Sequence, residues 1–232
     1  MIDIHSHILP GMDDGSRSVE ESLAMLEASA VQRIGCIAAT PHFYAEENSP
    51  EGFLARRAAS AERLYQVWRP GLPELKLGAE VCYFEGISRC KGIERLCIEG
   101  TGLLLLEMPF CQWSYHMLHE VWELQARPGV TVLLAHIERY LRRQDADVWR
   151  ALAEWGVLNQ CNASFFLDWR TRPRALRMLW SGQIHLLGSD CHNMEERPPR
   201  LGEALTVLGK RGRGVLEESG DTFLPRWKAA QT

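Results

Sequence analysis

Five of the eight histidines in this 232-residue chain, together with several carboxylates, stand where short apolar runs end. The first run ends in His5-Ser6-His7, the second leads into Thr40-Pro41-His42, and the third ends at Glu80. The fourth ends at Glu107, the fifth at His136, and the last at Asp190-Cys191-His192. On an extended chain the His-x-His spacing puts both imidazoles on one face, so His5 and His7 can chelate a single ion. Glu80 and Glu107, from neighbouring runs, could bridge cations held roughly 3.5–4 Å apart and offset their repulsion. Nitrogen and oxygen donors without thiolate suit Mn, Fe, Zn or Co rather than copper or an iron–sulfur cluster. Asp13 and Asp14 follow His7 in Gly11-Met12-Asp13-Asp14-Gly15. One of them completes a metal site or the pair forms an Asx turn before a helix, and spacing does not choose between the two residues.

Two arginines accompany these groups: Arg139 three residues after His136, and Arg197 five after His192. A planar guanidinium grips a phosphoryl group through two parallel hydrogen bonds, so metals with two arginines equip a site for phosphomonoester hydrolysis. Cys191 and Arg197 also satisfy a Cys-x5-Arg spacing that a thiolate phosphatase would use. That reading fails on chemistry: the loop has no glycine, and Asp190, Glu195 and Glu196 would raise the thiol pKa. His116 and His119 on a predicted helix, and His185 at a strand start, are read as structural. Trp113 and Trp169 fall in loops after the fourth and sixth strands, where they could wall a groove for an aromatic ester, although packing is their expected role.

The elements that must position these groups recur as strand and helix in turn. Apolar runs rich in Val, Ile and Leu predict strands near residues 2–5, 34–39, 75–81, 102–107, 130–135, 157–161 and 184–188. Between them, helical periodicity covers 19–33, 50–68, 114–126, 145–154, 173–180 and 200–210, several opened by Ser, Asp or Pro. Gly35, Gly129, Gly156 and Gly182 follow helices as left-handed caps. The repeat argues for one α/β domain over residues 1–232, an open doubly wound sheet or a closed barrel of about seven strands. Six of the seven strands deliver His, Asp or Glu at the carboxyl end, the face on which such folds build their sites; the sixth, ending near Asn162, does not.

Composition removes other classes. Lys and Arg total 26 against 30 for Asp and Glu, so no basic excess exists to neutralise a nucleic-acid backbone. The N-terminus has neither the charged nor the apolar region of a signal peptide, and the longest apolar run, Leu103 to Leu106, is far too short to span a bilayer. A cytoplasmic protein without membrane insertion is expected. The seven cysteines form no Cys-x-x-Cys pair, which leaves reduced thiols as the default.

Taken in order, His5-Ser6-His7 with Asp13-Asp14-Gly15, Ala39-Thr40-Pro41-His42, Gly78-Ala79-Glu80, Ala135-His136-Ile137-Glu138-Arg139-Tyr140 and Gly188-Ser189-Asp190-Cys191-His192-Asn193 followed by Arg197-Pro198-Pro199 closely resemble the PHP (polymerase and histidinol phosphatase) superfamily. Within it they resemble the manganese-dependent protein-tyrosine phosphatases of bacterial capsule and exopolysaccharide operons. The resemblance implies a distorted seven-stranded (β/α) barrel of TIM-like form with three divalent ions, Mn²⁺ foremost and Fe, Zn or Co as alternatives. It places His5, His7, Glu80 and Asp190 on the first ion, and Glu80, Glu107 and His136 on the second. His42, His192 and either Asp13 or Asp14 fall on the third, with Arg139 and Arg197 on the phosphate. Water activated by the cations would attack phosphorus in line, and Asp190 or His42 would be the nearest general acid if one is needed. The implied substrate is the phosphotyrosine tail of a bacterial tyrosine autokinase. A small-molecule phosphatase, for instance of histidinol phosphate, is the alternative that the same barrel would serve, and a metal-binding partner protein without turnover is a third. The acidic segment after His42 and the stretch from Lys210 to Thr232 depart from the family pattern and leave the oligomeric state open.

Overall fold

Parity along the strands organises the molecule. In the run Leu103–Glu107, Leu103 and Leu105 join one apolar cluster while Leu104 and Leu106 join another. A two-residue period imposes that division on a strand buried on both faces. The smaller cluster holds Cys36, Ala38, Leu105, Leu133, Ala135 and Leu158, nearly all from strands. The larger one adds helical residues such as Met25, Phe53, Leu64, Val121 and Leu179. The sheet therefore curls around the first cluster and is jacketed by helices through the second.

The computed structural model describes residues 1–224; the remainder of the expected 1–232 domain lies outside the described residues. The strands are β1 (Ile2–Ser6), β2 (Cys36–Ala39), β3 (His42–Phe43), β4 (Glu74–Leu77), β5 (Glu80–Cys82), β6 (Leu103–Glu107), β7 (Thr131–Leu134), β8 (Leu158–Asn162) and β9 (Leu186–Gly188). The helices are α1 (Val19–Val31), α2 (Pro50–Tyr65), α3 (Tyr115–Gln125), α4 (Ala146–Glu154), α5 (Ala163–Leu167), α6 (Arg172–Trp180) and α7 (Leu201–Phe223). Side-chain oxygens of Ser18, Ser49 and Ser114 accept first-turn N–H groups and so cap α1, α2 and α3.

Among the described residues every strand pairing is parallel, in a three-stranded sheet β1-β2-β4 and a six-stranded sheet β3-β5-β6-β7-β8-β9. The ring comes together where the last stave meets the first. Ser6 bridges Cys191, the His7 N–H donates to the Cys191 carbonyl at 2.9 Å, and the Asp190 N–H donates to the His5 carbonyl at 2.9 Å. A Cβ at Gly188 would lie 2.4 Å from the Cβ of His5, so only glycine permits this approach. The result is a distorted, incompletely closed (β/α) barrel.

Among the described residues the expected seven strands become nine: the expected strand 75–81 breaks at Gly78-Ala79, and past Thr40-Pro41 the second stave resumes as the short β3, beyond its expected end at residue 39. Pro41 has no N–H to offer a ladder. A Cβ at Gly78 would sit 2.9 Å from the Ile98 side chain. Across the break the Glu80 N–H donates to the Pro41 carbonyl at 3.0 Å, and β3 pairs with β5 so that His42 lies opposite Glu80. Two further expectations change. The left-handed residue after α1 is Arg33 (φ 62°), not Gly35. The last helix does not stop at Lys210: it kinks at Gly209 (φ 62°, ψ −168°) and continues to Phe223. Among the described residues, no helix is long and apolar enough to cross a membrane.

A candidate multinuclear metal centre

The parity that fills the barrel with leucine ends in polar groups at the carboxyl end of the strands. Leu103 and Leu105 are followed on the same face by Glu107, and Leu158 by Gln160 and Asn162. Gln160, Asn162, His5, His7, Glu80, His136, Asp190 and His192 are all buried. Buried polar groups need partners, and here they find one another.

Three histidines are oriented the same way. His5 Nδ1–H donates to Gln160 Oε1 at 3.2 Å, His7 Nδ1–H to Asp13 Oδ2 at 2.7 Å, and His192 Nδ1–H to the Asp190 carbonyl at 3.0 Å. Each therefore turns Nε2 inward, in the manner of imidazoles whose outer nitrogen is held so that the inner one can ligate. The inward nitrogens of His5 and His7 lie 3.1 Å apart. His192 Nε2 is buried without a hydrogen-bond partner among the described residues, facing Asp14 Oδ1 at 3.4 Å. Glu80 stands at the middle: Oε2 is 3.2 Å from His5 Nε2, 3.1 Å from His7 Nε2 and 3.2 Å from His42 Nδ1, and Oε1 is 2.8 Å from His136 Nε2. Glu107 Oε1 reaches His136 Nε2 at 3.2 Å, and Asp190 Oδ1 lies 3.5 Å from both His5 and His7.

Three sets of donor atoms, each within 4.8 Å of one another, follow: His5, His7 and Asp190; Glu80, Glu107 and His136; and His7, Asp14, His42 and His192. A fourth joins His42 and Glu107 with Cys82, whose Sγ lies 3.1 Å from Glu107 Oε2 and 3.7 Å from His42 Nδ1. The expected donor set free of sulfur thus has one thiol at its edge. Burial and the Glu107 charge hold that thiol well above its usual pKa.

The structure separates the two aspartates that spacing left open. Asp13 is spent on second contacts: its oxygens accept from His7, from the His42 N–H at 2.8 Å and from the Gly15 N–H at 3.0 Å. Asp14 is the one that faces His42 and His192. The carboxylates favour positive charge on two of these histidines. Burial opposes a charge on His7, yet Asp13 and Glu80 outweigh it and push its pKa up to about 10. Glu107 and Glu80 likewise overcome burial at His136 and raise it to about 9. His192, buried and beside a charged His7 and Arg197, is pushed down to about 4. Metal ions compete with protons for these nitrogens, so dense carboxylates around inward imidazoles fit divalent cations.

Arg139 and Arg197 converge on one oxygen. Their guanidinium groups donate to Asp190 Oδ2 at 2.8 and 2.6 Å, and Asn162 Nδ2 donates to the same atom at 2.7 Å. With His5 and His7, these contacts overcome burial and hold the Asp190 carboxyl well below its usual range, which makes it a poor proton donor near neutrality. The arginines wall a cleft of about 180 Å³ whose lining includes Asn162, Ser164 and Asp190. Cys191 is buried and its thiol is pushed far up by burial and by Asp3, so the Cys-x5-Arg spacing carries no nucleophile.

Trp113 is buried against Tyr140 and Trp149, while Trp169 is exposed with the Arg170 guanidinium over its ring. The aromatic rings at the rim are Phe110, half exposed and stacked on His136, and Tyr44, stacked on His42. His116 and His119 lie on the exposed side of α3, and His185 accepts the Asn159 N–H at 3.0 Å. Sequence reasoning missed Gln160, Asn162 and Tyr140. Gln160 also accepts the His136 N–H at 2.6 Å, and the Tyr140 hydroxyl, which accepts the Met108 N–H, meets His136 Nδ1 at 3.3 Å. The signal was available for the first two, since amides at alternate positions after Leu158 mark a strand face that turns polar. His136 and Asp190 are held in left-handed backbone conformations (φ 32° and 54°), strain of the kind that concentrates at working sites.

Comparison with known proteins agrees with this geometry. Residues 1–218 match the family model described as capsular polysaccharide synthesis, CpsB/CapC. The tyrosine-protein phosphatase CpsB of Streptococcus pneumoniae is 30% identical over 228 residues, covering 91% of this chain and 90% of its own. The tyrosine-protein phosphatase YwqE of Bacillus subtilis is 31% identical over 218 residues, covering 90% and 84%. Among solved structures, one described as belonging to YwqE from Bacillus subtilis and CpsB from Streptococcus pneumoniae, unique metal-dependent tyrosine phosphatases, superposes with a TM-score of 0.79 over 95% of this chain and 93% of that one, at 25% identity. An amidohydrolase superposes at 0.51 with 11% identity over 96% of this chain and 75% of its own, a likeness of fold alone. The chain belongs to the CpsB/CapC family of capsular polysaccharide synthesis proteins.

Proposed function

We propose that this protein is a metal-dependent protein-tyrosine phosphatase. The observation that carries the reading is the convergence of five inward histidines and the carboxylates of Glu80, Glu107, Asp190 and Asp14 beside a cleft walled by Arg139 and Arg197. Three ions, Mn²⁺ foremost, would be held by His5, His7, Glu80 and Asp190; by Glu80, Glu107 and His136; and by His42, His192 and Asp14. Bound cations supply Lewis acidity for phosphoryl oxygens and lower the pKa of water toward neutrality. Asp13 holds the His7 ring in register and, through the His42 N–H, fixes the strand that presents His42. Arg139 and Arg197 leave Asp190 to grip the equatorial oxygens of the entering phosphoryl group, where charge gathers in the transition state. A tyrosine leaving group has a pKa of about 10, so it departs with less proton assistance than an alkyl alcohol. Phe110 and Tyr44 at the rim favour an aromatic ester over histidinol phosphate. The protein substrate would be a cytoplasmic phosphotyrosine tail, that of a bacterial tyrosine autokinase.

The test is phosphate release from a phosphotyrosine peptide and from histidinol phosphate by chelator-stripped protein given back Mn²⁺. Activity on the peptide should return with metal, disappear in His136→Ala and survive Cys191→Ser. Arg139→Ala and Arg197→Ala should lower turnover while metal content stays near wild type. Metal-independent activity lost with Cys191→Ser, or preference for histidinol phosphate, would overturn the proposal.

A further inference from the structure

Arg139 lines two clefts. One is the phosphate cleft beside Asp190; the other, of about 460 Å³, lies between the turn at Leu141–Arg143 and the start of α6. Arg142, Arg143, Arg170 and Arg174 line this second cleft, with Phe165 and Thr171 completing its walls. None of these four guanidinium groups pairs with a carboxylate among the described residues, in contrast to Arg139 and Arg197 on Asp190 and Arg200 on Glu203. Arg172, which lies among them in sequence, is spent on the carbonyls of Phe166 and Leu167. Among the described residues the one acid lining the cleft is Glu138, and its oxygens are taken by the Cys161 thiol at 3.1 Å and the Asn162 N–H. In a chain of net charge −4, these four exposed arginines gather positive charge around one recess and raise the local concentration of anions there.

Because Arg139 lines both the recess and the phosphate cleft, one bound molecule can reach both. Resting on the proposed phosphatase reading, we infer that the recess is a second anion subsite: it holds a negatively charged side chain of the substrate peptide flanking the scissile phosphotyrosine. Guanidinium forks suit carboxylate and phosphate alike. The two sources of that anion are an acidic residue and a second phosphorylated tyrosine. One of the four, Arg170, rests 5.2 Å over the ring of the exposed Trp169, which holds its guanidinium by a cation–π contact.

The experiment compares phosphotyrosine peptides that differ in the flanking residues, carrying glutamine, glutamate or a second phosphotyrosine. It uses the Mn²⁺-loaded wild type, Arg142→Gln/Arg143→Gln, Arg170→Gln/Arg174→Gln and the quadruple variant. For the wild type, KM should be about tenfold lower with an anionic flank than with glutamine, and the gap should shrink as salt is raised. The quadruple variant should lose that gap while its rate on p-nitrophenyl phosphate, which has no flank, stays at wild type. A larger gain from the second phosphotyrosine than from glutamate assigns the recess to phosphate, and equal gains assign it to anions at large. Anisotropy with peptides bearing non-hydrolysable phosphonomethyl-phenylalanine reads binding without turnover. Charge-dependent binding with no hydrolysis of any peptide would sink the phosphatase reading and keep the recess. Hydrolysis with equal KM for all flanks would do the reverse.

Discussion

Replacing Asp13 and Asp14 one at a time should produce two different kinds of damage, because the residues are neighbours in sequence but not in role. The Asp13 side chain is 5% exposed and the Asp14 side chain 65%. Burial alone would raise the Asp13 pKa, but His7 and the N–H groups of His42 and Gly15 bring it down from 3.8 to about 2. That drop corresponds to roughly 2.5 kcal/mol favouring the folded, ionised form. With the folded pKa depressed, this stability is present above about pH 4 and is lost as pH falls through 2. Asp13→Ala also leaves buried donors without acceptors, so a loss of about 3 kcal/mol or more is expected at pH 7. Removing the acceptor that orients His7 should weaken metal binding about 10- to 100-fold as well. Asp14→Ala should change stability by less than about 0.5 kcal/mol, since the group is exposed. It should nevertheless cost one bound ion per chain. Urea unfolding of the metal-free proteins reads the first quantity, and elemental analysis after dialysis against buffered Mn²⁺ reads the second. If Asp14→Ala kept its full metal content while Asp13→Ala lost an ion without losing stability, the assignment of ligand and orienting group would be inverted.

Asp3 provides the opposite sign: burial, against hydrogen bonds from Ser189 and His5, raises its carboxyl from 3.8 to about 6. Its penalty is absent below about pH 4, grows between pH 4 and 6, and stays at about 3 kcal/mol above that. Asp3→Asn should therefore gain on wild type over that interval in urea melts, and a constant difference from pH 4 to pH 8 would contradict the shift. Gly188→Ala should destabilise by about 3 kcal/mol and reduce Mn²⁺ content, because its methyl group would push His5 aside. Phe110→Ala should raise KM for phosphotyrosine peptide about fivefold with little change for inorganic phosphate as an inhibitor, a difference that steady-state kinetics would show. Chelation should lower the midpoint of thermal unfolding; at metal concentrations 100-fold above Kd the expected loss is about 2.7 kcal/mol, and an unchanged melt would deny that the cations bind the folded form preferentially.

Much of this architecture was legible because parity and position carry it. A leucine run ending in Glu107, or His-x-His after Ile2-Asp3-Ile4, reads as a strand with chemistry at its carboxyl end. The strand end at Ala39 before Thr40-Pro41 was legible, but the short β3 beyond it and the break at Gly78-Ala79 were not: the latter depends on what Gly78 meets across the barrel, Ile98 and Thr40. The short α5 is below the length at which a helical period declares itself. The choice between Asp13 and Asp14 turns on a loop that folds back on His7, and the aromatic rim turned out to be Phe110 and Tyr44, because Trp113 found a better place inside. The extension of α7 past Lys210 hides behind Gly209, which interrupts the pattern that would announce it.

The seam between first and last staves sets a condition on synthesis. The His5 carbonyl and the Ser189 hydroxyl that approaches it lie 184 residues apart in the chain, and Asp190 and His192 follow immediately. At ribosomal rates the strand bearing His5 and His7 waits about 10–40 s for the partners that complete its cluster. During that interval the nascent chain presents an isolated pair of imidazoles, with the carboxylates of Glu80 and Glu107 arriving earlier than Asp190. A cation caught too soon would be held by fewer donors and released. On the proposed ligand assignment, the complete donor set exists only once the last stave has emerged.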